Sequence, residues 1–203
     1  MTSSDLTLLP EDAKARAAVR VGASIDGLAS GELRAPSDGP IDGSGVRVGL
    51  ACAEFNGGIT DRLLSGALDA FAQAGCHPSG LTVAWAPGAF ELPLVAQRFA
   101  RTGTVDAVIC LGAVIRGDTG HYDFVAGQCA SGLQRVQLDS GLPVVFGVLT
   151  TDTVEQALER SKDNETNKGR EAAVTAIEMV RVLAAVGGLA GTADGPAPTN
   201  GEV

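Results

Sequence analysis

The sequence predicts a three-layer α/β sandwich, a four-stranded parallel sheet with helices on both faces. Three observations predict it. Short apolar runs alternate four times with segments of helical spacing. The third run, Val105–Ile115, is too apolar for an exposed face, as parallel strands buried on both sides are. The unusual side chains collect after the runs, and open parallel sheets bind ligands beyond their carboxyl ends.

Val46–Cys52 is the first strand. Ile59, Leu63, Leu64, Ala67, Leu68 and Phe71 then recur at helical spacing until Gly75, a good residue for a left-handed helix end. Leu81–Ala86 is the second strand. Phe90–Arg101 is helical, with Pro93 tolerable because it falls in the first turn. Tyr122–Leu138, after the third strand, forms a long helix, and Pro143–Leu149 is the fourth strand. Thr153 with Gln156 makes a capping box for Val154–Arg160. Asn167–Val186 is the last helix, with Ala173, Ala176, Ile177 and Val180 on one stripe. Right-handed crossovers join the strands.

The ends are different in character. Residues 1–44 lack a sustained apolar period and finish in a turn-rich stretch, Ala35–Ser44, so they read as a flexible extension and linker with room for a short helix at Pro10–Val21. Residues 187–203 are Gly, Ala, Pro and Thr with little else and read as a disordered tail. The folded domain is 45–186.

Composition excludes several classes. The chain has 203 residues, 45% of them apolar, so it is not disordered throughout. A net charge of −9 and only three lysines, Lys14, Lys162 and Lys168, disfavour nucleic acid and anionic membranes as partners. Apolar stretches such as Val182–Leu189 are too short to span a bilayer, and Met1–Pro10 has an acid, Asp5, and no base where a signal peptide carries bases, so the location read is cytoplasmic. Cys52, Cys76, Cys110 and Cys129 form no C-x-x-C pair and read as small buried hydrophobes rather than zinc ligands or disulfides. No metal site is expected.

Four strand ends carry the candidate chemistry: Ala53–Asn56, Pro87–Glu91, Ile115–His121 and Thr150–Asp152. Gly117-Asp118-Thr119-Gly120 before a helix offers backbone N–H groups and a positive dipole end to an anion, although a plain helix cap explains such a turn as often. It lacks the lysine of a P-loop and the spacing of a dinucleotide fingerprint. His121 is suited to moving protons near neutral pH, or else merely caps the helix. Glu91 is either a dipole-stabilised helix charge or a hydrogen-bond partner for a ligand. Phe55, Phe90 and Phe146 are core residues or a stacking surface for a flat heterocycle. Arg160 and Lys168 are solvated charges or a two-cation grip on a phosphate.

Six segments in the same order resemble the lumazine synthase family: Phe55-Asn56, Pro87–Pro93, Leu111–Val125, Phe146–Asp152, Glu155–Arg160, and Asn167–Gly169 with Ala176–Met179. The resemblance covers about Val46–Met179. It implies a flavodoxin-like fold and condensation of 5-amino-6-(D-ribitylamino)uracil with 3,4-dihydroxy-2-butanone 4-phosphate without any cofactor. It implies homo-oligomers too: pentamers, in some members sixty-subunit shells, with association with riboflavin synthase as a further partner. By the same resemblance, Phe55 stacks on the pyrimidine with Asn56 nearby, and Gly88, Ala89, Phe90 and Glu91 hold its ribityl side. Val114 and Ile115 line the uracil pocket through their backbone. Gly117, Asp118, Thr119 and Arg160 meet the phosphate, and His121 shuttles protons. Phe146, Lys168 and Arg160 come from a neighbouring subunit.

Against the family pattern, Gly120 stands where Pro or Thr is common and Glu54 where Arg is frequent. Ser161–Thr166 differs in composition but keeps the length of the loop, which predicts that Arg160 and Lys168 stay in register. Two rival readings stay open on the residues alone. A non-catalytic flavin- or lumazine-binding shell protein would have no need of His121. A receiver-like binding module would need an acidic cluster after strand one, where only Glu54 stands.

Overall fold

The computed structural model describes residues 41–190, with side chains to Gly187. Those up to Val180 form one compact unit, and the helical segment Arg181–Ala190 falls in a second. The helix expected at Pro10–Val21, the extension before residue 41 and the tail after residue 190 lie outside the described residues.

Four strands, β1 Val48–Ala53, β2 Leu81–Ala86, β3 Ala107–Ile115 and β4 Val144–Thr151, pair in parallel in the order β2-β1-β3-β4. Five helices accompany them: α1 Gly57–Gln73, α2 Leu92–Thr102, α3 His121–Ser140, α4 Val154–Arg160 and α5 Lys168–Ala190. The predicted flavodoxin-like sandwich is the observed one. Both central strands are buried along their length, as the apolar run in β3 demanded.

Alternation along β3 divides its side chains between two cores. Ala107, Ile109, Leu111 and Ala113 pack with Leu63 and Phe71 of α1 and Ala176 and Ile177 of α5. Val108, Cys110 and Val114 pack with Leu92 of α2 and Cys129 and Leu133 of α3. That two-residue period places helices on both faces. Each fully buried Leu stabilises the fold by about 1.5–3 kcal/mol relative to exposure.

Two element ends differ from expectation. The second helix opens with a 3-10 turn, Ala89–Glu91, because Pro93 can sit only at the start of an α-helix and the chain must first bend over the sheet end. The last helix runs four residues beyond its predicted end, to Ala190. Gly187 and Gly188 weaken a helix by about 1 kcal/mol each but do not block one, and the helix formers Leu189 and Ala190 come next. The described part of the predicted tail, 187–190, is therefore helical.

All four cysteines are buried, and none is in a disulfide. Burial pushes the Cys52 and Cys129 thiols up to about 12 and that of Cys110 well above its ordinary value, so all three stay protonated and unreactive at neutral pH.

Arg47, just before β1, clasps Asp106, just before β3, through Nε at 3.1 Å and Nη2 at 2.7 Å, and its backbone N–H donates to the same carboxylate at 2.8 Å. These bonds hold the Asp106 carboxyl below the usual carboxylate range, against a smaller upward push from burial. A carboxylate whose folded pKa is depressed stabilises fully above its unfolded value of about 3.9 and loses that contribution as pH falls through the folded value. Asp106→Asn is therefore expected to lower the urea midpoint at pH 7. Its deficit against the parent should shrink steadily as the pH is lowered from 5 toward 2; a constant deficit would show that the charge is not what stabilises.

Candidate active site

The carboxyl end of the sheet opens into a cavity of about 620 Å³. Three segments build it, and each is fixed by local bonds. The β1–β2 pairing continues past the strands through Glu54 N–H to the Ala86 carbonyl at 2.8 Å and Phe55 N–H to the Pro87 carbonyl at 3.1 Å. This lays Phe55 beside the Pro87–Glu91 turn. Its ring is 72% exposed, which leaves it available to a ligand.

Asn56 turns the chain sharply into α1. It is the one non-glycine described residue with positive φ, at 60°, and Asn tolerates that region better than most side chains. Its carboxamide N–H donates to the Ala113 carbonyl at 2.9 Å, tying the loop after β1 to β3. Its carbonyl accepts from Ile59 and Thr60 N–H and so starts the helix.

In the second segment, Gly88 leaves space that Glu91 fills. A Cβ there would stand 3.1 Å from Glu91 Oε2, so a larger residue would push the carboxylate aside. Ala89 is buried and Phe90 is 55% exposed, and both line the cavity with Gly88 and Glu91. The third segment is the end of β3 with the loop leading into α3. Val114, Ile115, Gly117, Thr119 and His121 all contribute to the wall. Asp118 is in this segment and exposed, but outside the lining.

His121 is the first residue of α3, and its N–H leans on Thr119 Oγ1 at 3.4 Å. Neither Gly117 nor Gly120 uses a left-handed φ, and a Cβ at either would meet open space. Here the glycines leave the backbone uncovered and do not make a turn barred to other residues. Pro87, Ala113, Tyr122, Phe124 and Val125 also line the cavity, and the sequence reading gave none of them a site role. A usable signal was present in Tyr122 and Phe124, two aromatics in the first turn after a ligand loop.

Phe146, Arg160 and Lys168 are elsewhere. They line a second hollow of about 600 Å³ formed by β4, α4 and α5, which shares no lining residue with the first. Beside it, α1 comes close to the start of α5. Cβ atoms at Gly66 and Gly169 would collide with Asn167 and with the Leu63 backbone, so only glycine permits this packing. Buried Asn167 caps α5, accepting from Gly169 N–H at 2.8 Å and Arg170 N–H at 3.2 Å. It also donates to the carbonyls of Arg62 and Lys162. The altered loop is ordered by Asn164, which accepts from Thr166 N–H and Oγ1, and Arg160 and Lys168 do remain on one hollow as predicted. The Lys168 ammonium is held by Glu171 at 2.7 Å, and Arg160 Nη1 donates to the Gln156 carbonyl at 3.1 Å.

The two surfaces differ in charge. The first holds exposed aromatics, a carboxylate and an imidazole, with neither Lys nor Arg in its wall. The second holds two cations and an exposed aromatic. Among the described residues no cluster of three or more His, Cys, Asp or Glu is placed to hold a metal ion, and no helix is long and apolar enough to cross a membrane.

Fold and cavity together define a flavodoxin-like α/β protein with a ligand-sized cavity at the carboxyl end of its sheet. Residues 45–184 match the family model of 6,7-dimethyl-8-ribityllumazine synthase. The chain is 54% identical over 146 residues to the 6,7-dimethyl-8-ribityllumazine synthase of Thermus thermophilus, across 72% of this chain and 93% of that protein. It belongs to the lumazine synthase family, the transferases of riboflavin biosynthesis.

Proposed function

We propose that the two hollows face each other across a seam between neighbouring copies, forming one site. There 5-amino-6-(D-ribitylamino)uracil condenses with 3,4-dihydroxy-2-butanone 4-phosphate to give 6,7-dimethyl-8-ribityllumazine, phosphate and water. The observation that carries this reading is the missing cation: His121 and the Gly117–Thr119 loop share a cavity with no Lys or Arg in its wall, while Arg160 and Lys168 line another. A phosphate ester is held best by charge-assisted bonds, and an arginine fork supplies them.

In this reading Phe55 stacks on the pyrimidine and Asn56 fixes the loop that carries it. Gly88, Ala89, Phe90 and Glu91 hold the ribityl side, and the backbone of Val114 and Ile115 meets the uracil edge. Gly117, Asp118 and Thr119 frame the phosphate at the start of α3, whose dipole favours an anion. Arg160 completes that grip from the neighbour, and the neighbour's Phe146 and Lys168 close the site over the pyrimidine.

The chemistry then needs little besides proton traffic. The 5-amino group attacks the ketone, and loss of water gives an imine. A proton leaves carbon, phosphate departs by β-elimination, and the enol formed becomes a ketone. The ribitylamino nitrogen attacks that ketone, and a second water is lost as the ring closes. His121 takes and returns these protons, and holding both reactants together supplies much of the remaining rate.

Exposed Leu94, Phe124 and Leu138, each at least 70% accessible, offer apolar surface for neighbouring copies. A head-to-tail seam closes into a ring, and the family resemblance makes that ring a pentamer. A sixty-copy shell and association with riboflavin synthase extend the same reading. Residues 45–186 are the catalytic domain, 1–44 an extension and 187–203 a tail. Four buried thiols outside any disulfide fit a cytoplasmic location. Supplying both substrates and following lumazine absorbance tests the reaction directly. Product should accumulate with release of phosphate, and its absence at micromolar enzyme would end the proposal.

A further inference from the structure

Arg116 lies just outside the residues given roles in the condensation, at the junction of three elements. Its N–H donates to the Thr151 carbonyl at 2.9 Å, adding one bond to the β3–β4 pairing beyond the strand end. Its guanidinium reaches Asp152, after β4, through Nε at 3.0 Å. It reaches Asp123, in the first turn of α3, through Nη2 at 3.3 Å. The guanidinium carbon also stands 3.9 Å from the centre of the Tyr122 ring.

Asp152 is itself held, because Gln156 Oε1 accepts its N–H at 3.0 Å while the Thr153 hydroxyl accepts the N–H of Gln156 at 3.2 Å. This is the predicted capping box with one change: the glutamine reaches back to Asp152 and not to the cap residue. The start of α4 thereby supports the carboxylate that supports Arg116.

The loop Gly117–Gly120 runs between these anchors with little of its own to hold it. It is tied by the long Thr119 contact to His121 N–H and by the Gly120 carbonyl, which accepts from Asp123 N–H at 3.2 Å. Both of its glycines stand in open space. His121 directly precedes the two residues that Arg116 contacts, so wherever Tyr122 and Asp123 are held, the imidazole is held too.

From this we infer that Arg116 is a positioning residue: by clamping Asp123 and Tyr122 of α3 to Asp152, it fixes the anion loop and the imidazole of His121 relative to the sheet. Its Nε and Nη2 are engaged by two carboxylates, so its part in this inference is to position and not to grip the phosphate. Three exposed charges of this kind add little to stability, so the effect belongs to the rate. A displacement of about 1 Å in a reacting group can cost on the order of 100-fold.

The inference rests on the proposed condensation, and one set of assays separates the two. Wild-type enzyme that makes no lumazine defeats the proposed reaction. Wild-type enzyme that makes it provides the reference for Arg116→Ala, Arg116→Lys, Asp123→Asn and Asp152→Asn, each checked for native mass and melting temperature. Arg116→Ala is expected to lower kcat by about 10- to 100-fold and to leave KM for the pyrimidine within about threefold. Arg116→Lys keeps the charge but spans one carboxylate, so it should recover only part of the loss. Asp123→Asn and Asp152→Asn should lower kcat in the same direction. Should Arg116→Ala fail to fold, the other three carry the test. Unchanged kcat in the arginine variants, or full recovery with lysine, would overturn the inference. So would a lower KM for the butanone phosphate in either asparagine variant, because a released guanidinium would then be binding the ester itself.

Discussion

Replacing His121 with alanine is expected to lower kcat by about 10²–10⁴-fold with little change in pyrimidine affinity. The split comes from where the groups sit. In the proposed site the pyrimidine lies against Phe55, Glu91 and the end of β3, on segments fixed by their own bonds to the sheet and to one another. His121 projects from the first turn of α3 into the same cavity and is exposed, so its loss leaves no hole in either core. What disappears is the proton carrier of the proposed reaction. Steady-state kinetics with each substrate varied in turn reads the two quantities separately. A kcat within a factor of about two of the parent would remove His121 from the proton path.

The second large effect belongs to Arg160. Arg160→Ala should raise KM for the butanone phosphate by roughly 10- to 150-fold, equivalent to about 1.5–3 kcal/mol for a hydrogen bond to a charged group. Its side chain ends α4, and one nitrogen is anchored on the Gln156 carbonyl. That anchor aims the fork without occupying its other donors. Lysine at this position should recover part of the loss, since it restores charge without the planar fork. Added salt should weaken the parent's affinity for the phosphate ester more than its affinity for the uncharged pyrimidine. An unaltered KM for the ester in Arg160→Ala would remove the grip assigned to it.

Much of this was legible in the residues themselves. The apolar run of β3, the helical spacing after β1 and the Thr153 cap each specify one local answer, and the structure adopts all three. The cavity was legible because its residues come directly after strand ends, so sequence neighbours become neighbours in space. Less visible were features made by distant residues. Nothing near Asn56 in the chain announces that its carboxamide will bond Ala113, 57 positions away. The Arg116 clamp joins residues 36 positions apart, and Asp152 alone reads as no more than the start of a helix turn.

Gly117 and Gly120 teach a related lesson. Their composition suggested a turn that offers backbone N–H groups or a plain helix cap; the backbone there is ordinary, and the glycines leave it bare. The separation of Phe146, Arg160 and Lys168 from the cavity is geometric too. Periodicity places them on β4, α4 and α5, but only the packed sheet shows that they open onto a hollow of their own. Once that is seen, the proposed anion loop has neither Lys nor Arg in the wall of its own cavity.

Mixing two damaged variants tests that division most directly. His121→Ala and Arg160→Ala chains, co-expressed or refolded together in equal amounts, would assemble rings in which about one seam in four pairs an intact His121 with an intact Arg160. Lumazine formation should then return to about a quarter of the parent's rate, far above either variant alone. A mixture no more active than the average of its two components, at the same assembled mass, would mean that each chain builds its site unaided.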